Sequence, residues 1–315
     1  MRISFLGKGG SGKTTTTAAF VNHLAKKNSS VLAIDADLNV HLQKSLQITG
    51  ESTKLGDNFT EISKYLKGSR KFSTEMIGTT PPSEDSVFIT TKPNDEFVQK
   101  YALKKDNISL LTVGSYNHDD LGATCYHGKL MVLELILHHM LDSSDDWVVV
   151  DATAGVDNLG TSLFFAYDLN IFVVEPTLKS IQVFNDFMEF SKIYGLRTMC
   201  IVNKYEDDDE SFVKNNIDPN LIIGKLPKSK NIKNFEQGDS LGLELFSLEC
   251  AEAFEEIEKN VKKIEKNWDT YLNNLVNIHK KNSKSWYNDY YSQNLETQID
   301  PIFSYNKQIL KKFRL

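Results

Sequence analysis

Apolar positions along this chain come in short, nearly unbroken bursts: Ile3–Leu6, Val31–Ile34, Ile108–Val113, Trp147–Val150, Ile171–Val174, Met199–Val202 and Leu221–Ile223. Runs of this length without apolar/polar alternation predict strands covered on both faces, the environment of a parallel sheet between two helix layers. Longer segments separate most of them, with helical length and spacing, over Lys13–Lys27, Lys129–Leu141, Leu178–Tyr194 and Asp207–Asn215. The alternation predicts an α/β fold, doubly wound around a mainly parallel sheet. Residues 68–95 break the rhythm with Gly, Ser, Thr and a Pro81-Pro82 pair, and read as an excursion able to cover a site.

From about residue 247 the pattern changes. Phe254, Ile257, Val261, Ile264, Trp268, Leu272, Leu275 and Ile278 recur at three- and four-residue steps, which predicts one long amphipathic helix. An aromatic group follows, Trp286, Tyr287, Tyr290 and Tyr291, and then a terminal helix candidate ending ILKKFRL. The expected organisation is a doubly wound domain over residues 1–246 and a helical C-terminal extension over 247–315.

Composition narrows the function classes. With 315 residues and 40% hydrophobic content, a large core is available without covalent staples. Three widely spaced cysteines, Cys125, Cys200 and Cys250, do not form a disulfide framework. No signal-peptide pattern or membrane-length apolar run is present, so the expected location is cytoplasmic. Residues 250–315 carry 11 Lys+Arg against 9 Asp+Glu, net +2, so within the formal net charge of −6 residues 1–249 carry −8. That sign opposes nucleic acid as a partner.

The chemistry begins directly after the first burst, at GKGGSGKTT. Gly7, four residues, then Gly12-Lys13-Thr14 is a phosphate-loop pattern. Backbone N–H groups of Gly9, Gly10, Ser11 and Gly12 can wrap phosphates, with Lys13 neutralising charge, Thr14 ligating magnesium, Thr15 counted with them in the nucleotide-binding set, and the helix that starts at Lys13 aiming its positive end at the same anion. VLAIDADLN places Asp35 and Asp37 at a strand end beside the expected metal, although either carboxylate could equally cap a helix. WVVVDATAG puts Asp151 where a carboxylate holds magnesium through water, and Gly155 where a backbone N–H can sense the terminal phosphate. The expected cofactors are therefore ATP and Mg2+.

Lys8 is a second lysine in the loop, and with it the stretch resembles the deviant Walker A signature of the MinD/ParA/nitrogenase-iron-protein class of P-loop ATPases. The resemblance implies that Lys8 reaches the nucleotide of a partner subunit, in a homodimer formed with ATP. It also implies that Asp37 orients the attacking water, that Asp35 assists the metal, and that Asn203, followed later by Pro227, contacts adenine. Lys8, Lys13 and Asp37 would then be the catalytic set.

A further stretch, GATCYH, places Cys125 and His127 two residues apart, a spacing able to offer two ligands to one metal. Two copies across a dimer would supply the four ligands of a closed site. GKGGSGKTT, GATCYH, DATAGVDNLG and VVEPTLKSIQ in that order resemble the CooC family over residues 1 to about 245. Members mature nickel-containing carbon monoxide dehydrogenase. The resemblance implies a metallochaperone with Ni2+ or Zn2+ at the dimer interface and a client metalloenzyme. One departure stands out, because the family has Cys-x-Cys where this chain has Cys125-x-His127. A plainer arrangement remains open, with Cys125 a buried small residue and His127 a helix cap.

Two other readings come from the same class. A positioning or partitioning ATPase of the MinD/ParA kind would use residues 302–315 as a membrane-surface or partner-binding helix. An iron–sulfur reductase would need a cysteine near Asp151–Gly155, and DATAG has none.

Overall fold

Each apolar burst is a strand in the computed structural model, which describes residues 1–71, 75–116, 126–155 and 160–313. The strands are β1 (Arg2–Gly7), β2 (Val31–Asp35), β3 (Ile89–Thr90), β4 (Leu103–Lys105), β5 (Ile108–Thr112), β6 (Met140–Leu141), β7 (Trp147–Asp151), β8 (Leu169–Val174), β9 (Thr198–Tyr205) and β10 (Ile222–Pro227). Eight form one sheet in the order β10-β9-β8-β1-β7-β2-β5-β4. All neighbours are parallel except β4 against β5, which is the antiparallel edge. β3 and β6 make a separate parallel pair.

Burial on both faces explains the unbroken apolar runs. In β2, Val31 and Ala33 enter one core cluster, while Leu32 and Ile34 enter another on the opposite side. The first cluster packs helix Lys13–Lys26, through Phe20 and Leu24, on β1, whereas the second packs helix Tyr126–His138 through Leu130, Leu133 and Leu137. The α/β, doubly wound expectation therefore holds, and all strands of the parallel block end on one edge of the sheet.

The expected single helix beyond residue 247 is two helices, Ala251–Lys262 and Trp268–Asn282, which follow a short helix at Gly242–Glu249. Residues 263–267 break the run, and the Asn267 side chain accepts from the Thr270 N–H at 2.8 Å to start the last helix afresh. Apolar periodicity reports which face is buried, not whether the backbone is continuous. Phe254, Ile257 and Val261 stand in the same buried cluster as Ile3 and Phe5 of β1, so residues beyond 246 help build the sheet's own core.

The helix expected from Lys129 is already formed at Tyr126, and it stops at His138 because Met140–Leu141 is drawn off to pair with β3. Helix Tyr305–Phe313 docks on its own domain: Tyr305 is buried and donates to the His138 carbonyl at 2.6 Å, and Ile309 packs beside Trp268 and Tyr271. Among the described residues no helix is long and apolar enough to cross a membrane.

Candidate nucleotide site

The site grows from the ends of β1, β2, β7 and β9. The loop leaving β1 enters helix Lys13–Lys26 at Gly12, whose φ of 89° is left-handed. Only glycine fits there, because a Cβ would strike the amide nitrogen of Asn203. No side chain caps that helix and its first turn holds no acid, so its positive end is left for an anion. A Cβ on Gly9 or Gly10 would meet nothing within 4 Å, which leaves open space above the loop. The Ser11 and Thr16 hydroxyls are buried without a hydrogen-bond partner.

Beneath the loop, Lys13 and three aspartates converge. Lys13 Nζ lies 2.7 Å from Asp37 Oδ2 and 3.2 Å from Asp151 Oδ1. The Thr14 hydroxyl donates to Asp151 Oδ2 at 2.6 Å. Asp35 and Asp151 are opposite each other in the β2–β7 register, and both are fully buried. Asp35 accepts from the Leu42 N–H at 2.9 Å, which is the capping arrangement that the sequence left open for it.

Charge balance here is unfavourable for the protein alone. Burial, and then repulsion from Asp151, push the Asp35 carboxyl up to about 7. Burial likewise raises Asp151, although Lys13 and Thr14 partly offset it. For Lys13, burial pulls the ammonium down, but Asp151 and Asp37 outweigh it and the net shift is upward. Three carboxylates beside one ammonium leave the site with uncompensated negative charge, which a nearby divalent cation would offset. Among the described residues no three His, Cys, Asp or Glu side chains converge closely enough to cage a metal directly. The fit is therefore to a cation that takes Thr14, water and phosphate oxygens, the habit of magnesium.

Other expected residues are placed as follows. Lys8 is half-exposed on the loop, with Nζ 3.4 Å from its neighbour Gly9's carbonyl oxygen. Gly155, expected to present its N–H to phosphate, donates it instead to the Gly7 carbonyl at 2.9 Å, so the segment after β7 and the loop are tied backbone to backbone. Asn203, expected at adenine, donates through Nδ2 to the Ser11 carbonyl at 2.8 Å. Asn203, Pro227, Thr15 and Phe246 line a cleft of about 310 Å³ beside the loop. Cys125 lies outside the described residues. His127 is inside helix Tyr126–His138, not ahead of it, with its ring close to Gly160.

Two contributors escaped the pattern reading. Lys204 Nζ bridges the Gly10 carbonyl, at 3.1 Å, to Glu175, at 2.6 Å, latching the loop to the end of β8. Tyr126 donates to the Ala36 carbonyl at 3.1 Å. Lys204 directly follows Asn203 and Tyr126 stands inside GATCYH, so both were adjacent to residues already singled out.

Over residues 5–241 the chain matches the family described as the CobQ/CobB/MinD/ParA nucleotide binding domain. It is 30% identical over 247 residues to an ATP-binding protein of uncharacterised role from Methanocaldococcus jannaschii, covering 78% of this chain and 95% of that one. It is 28% identical over 255 residues to the carbon monoxide dehydrogenase accessory protein CooC of Rhodospirillum rubrum, covering 80% of this chain and 91% of the relative. Among solved structures, the fold is similar to the MinD cell division protein of Aquifex aeolicus, with TM-score 0.54, 20% identity, and 85% and 99% of the two chains covered. It is also similar to the septum site-determining protein MinD of Pyrococcus horikoshii in complex with Mg-ADP, with TM-score 0.52, 20% identity, and 82% and 96% covered. A phosphate loop on β1, carboxylates on β2 and β7, and a match across three quarters of the sequence establish that the chain belongs to the CobQ/CobB/MinD/ParA nucleotide-binding domain family.

Proposed function

We propose that the chain is an ATP-hydrolysing dimeric switch of the CooC-like kind, which presents a metal-binding segment when ATP draws two copies together. The observation that carries the nucleotide half is the buried Lys13–Asp37–Asp151–Thr14 cluster beneath an uncapped helix start. In this reading Lys13 holds the phosphates of its own nucleotide, Lys8 reaches across to the partner's, and Asp37 accepts the proton of a positioned water. Bound magnesium, held by Thr14 and through water by Asp35 and Asp151, would neutralise charge on the phosphates. The Asn203 amide oxygen and Pro227 receive adenine.

The metal half rests on the Cys125-x-His127 spacing and on the likeness to the CooC relative. A client metalloenzyme would be the recipient. The alternative, a positioning or partitioning ATPase, draws on Ile302 and Leu310, which stay exposed beside Lys311 and Lys312 at the terminal helix. Against it, the rest of that helix is docked on its own domain.

One experiment addresses the reading. Molar mass is measured by light scattering with a non-hydrolysable ATP analogue and Mg2+, and Ni2+ or Zn2+ retention by equilibrium dialysis on the same samples. The expected result is a dimer that binds metal and loses it in Cys125→Ala, while Lys8→Ala remains monomeric and turns ATP over at least tenfold more slowly, roughly the loss of one trans cation. A monomer with analogue, with Lys8→Ala fully active, sinks the switch. Equal metal binding by wild type and Cys125→Ala sinks the metal role.

A further inference from the structure

The turn that carries Asp35 and Asp37 is held from two sides. The Ala36 N–H donates to the Asp151 carbonyl at 2.9 Å, and the Ala36 carbonyl receives the Tyr126 hydroxyl at 3.1 Å. Ala36 is buried, so water cannot replace the phenol as donor. The phenol O–H is a neutral donor, suited to that duty. Its ring is itself braced, edge-on to Tyr116 with centroids 6.0 Å apart.

The next residue along is Asp37, whose two oxygens have different tasks. Oδ2 meets Lys13, while Oδ1 accepts from the Asn39 N–H at 3.3 Å. Its carboxylate is aimed by the backbone of residues 36 and 37, since a short side chain has little freedom of its own. A donor that fixes the Ala36 carbonyl therefore fixes the aim of Asp37. Tyr126 directly precedes His127 in helix Tyr126–His138, so its hydroxyl ties that helix to the turn that carries Asp35 and Asp37.

We propose that Tyr126 is a positioning residue of the nucleotide site: by holding the Ala36 carbonyl, its hydroxyl sets the orientation of Asp37 toward Lys13 and ties helix Tyr126–His138 to that turn. The inference rests on the ATPase reading above for its kinetic consequence, but its structural content stands apart from it.

The test is Tyr126→Phe in the full chain, which keeps the ring and removes only the donor. ATP turnover should show kcat reduced roughly tenfold with KM for Mg-ATP within about twofold, the split expected when a group acts on the reacting geometry rather than on ground-state binding. A second readout needs no activity. Hydrogen exchange of the amides of residues 36–42 in nucleotide-free protein should be roughly tenfold faster in the variant, with β9 and β10 unchanged. If wild type hydrolyses ATP and the variant matches it in kcat, Tyr126 does not position Asp37 and the inference falls while the ATPase reading stands. If wild type does not hydrolyse ATP, that reading falls, and the exchange at residues 36–42 still decides. Exchange that is unchanged there, or accelerated throughout the molecule, overturns a local role for Tyr126.

Discussion

Individual carboxyl groups in this protein are held out of water, and two of them carry measurable consequences for pH. Asp35 faces Asp151 in the nucleotide site, whereas Glu134 lies on helix Tyr126–His138, accepting from the N–H and hydroxyl of Ser162. Burial raises Glu134 to about 7, against the pull of those two donors. Its folded state thus binds a proton more tightly than the unfolded chain does. The stability it contributes is fully present below about pH 4.5 and is lost as pH rises through 7, amounting to at most about 3 kcal/mol. Glu134→Gln imitates the protonated form. Urea midpoints at pH 5.5 and pH 8 should show the variant gaining on wild type at the higher pH, and a constant difference between them would refute the shift. At this scale the sequence showed the loop, Lys13, Asp37 and Asp151 plainly, since their spacing is dictated by phosphate chemistry. It did not show Tyr126 or Lys204, because each acts on a backbone carbonyl that only the fold brings near.

Among the elements, strands were legible and the C-terminal helices only partly so. Burial on two faces leaves a strong signature in β1, β2 and β7, whose every residue is buried. A stripe of apolar residues persists across helices Ala251–Lys262 and Trp268–Asn282 although the two bury it in different places. Phe254 and Val261 join the sheet core, while Trp268 and Tyr271 pack with Leu141, Phe303 and Tyr305. Asn267 marks the new start, a cap that reads as an ordinary polar residue when the stripe is assumed continuous. Helix Ala251–Lys262 should therefore be integral to the fold. Phe254 is fully buried, with ring centroids 5.5 Å from Phe20 and 5.5 Å from His23. Phe254→Ala should lower unfolding stability by about 3–5 kcal/mol in chemical denaturation. A loss under about 1 kcal/mol would show that this helix is a removable appendage.

Across the whole molecule, a second buried charge cluster sits at the other end of the sheet from the nucleotide. Arg2 bonds Asp142 through Nε at 2.9 Å, the Met140 carbonyl at 2.8 Å and the Tyr271 hydroxyl at 3.0 Å. Lys266 joins Asp142 at 2.8 Å and Asp168 at 3.3 Å. The Tyr271 hydroxyl also meets His138 Nδ1 at 2.7 Å, and His138 Nε2 is 3.3 Å from Ser162 Oγ. Burial holds the His138 imidazole well below its ordinary value, so it stays neutral and can act as acceptor to the tyrosine. Tyr271→Phe leaves Arg2 and His138 each short of a partner. It should cost about 1–3 kcal/mol while leaving nucleotide affinity unchanged, as read by denaturation and by ligand titration on the same preparation. Unchanged stability would mean that the tyrosine hydroxyl adds nothing to the cluster.

That cluster bears on how the chain is made. Arg2 belongs to β1, flanked in the finished sheet by β7 and β8, and its tyrosine partner lies 269 positions further along. On a ribosome β1 has no neighbour to pair with until β7 and β8 have followed it, and its guanidinium waits longer still. The Arg2 cluster can therefore close only after synthesis of the Trp268–Asn282 helix, about 90 residues after β1 gains the second of its sheet neighbours.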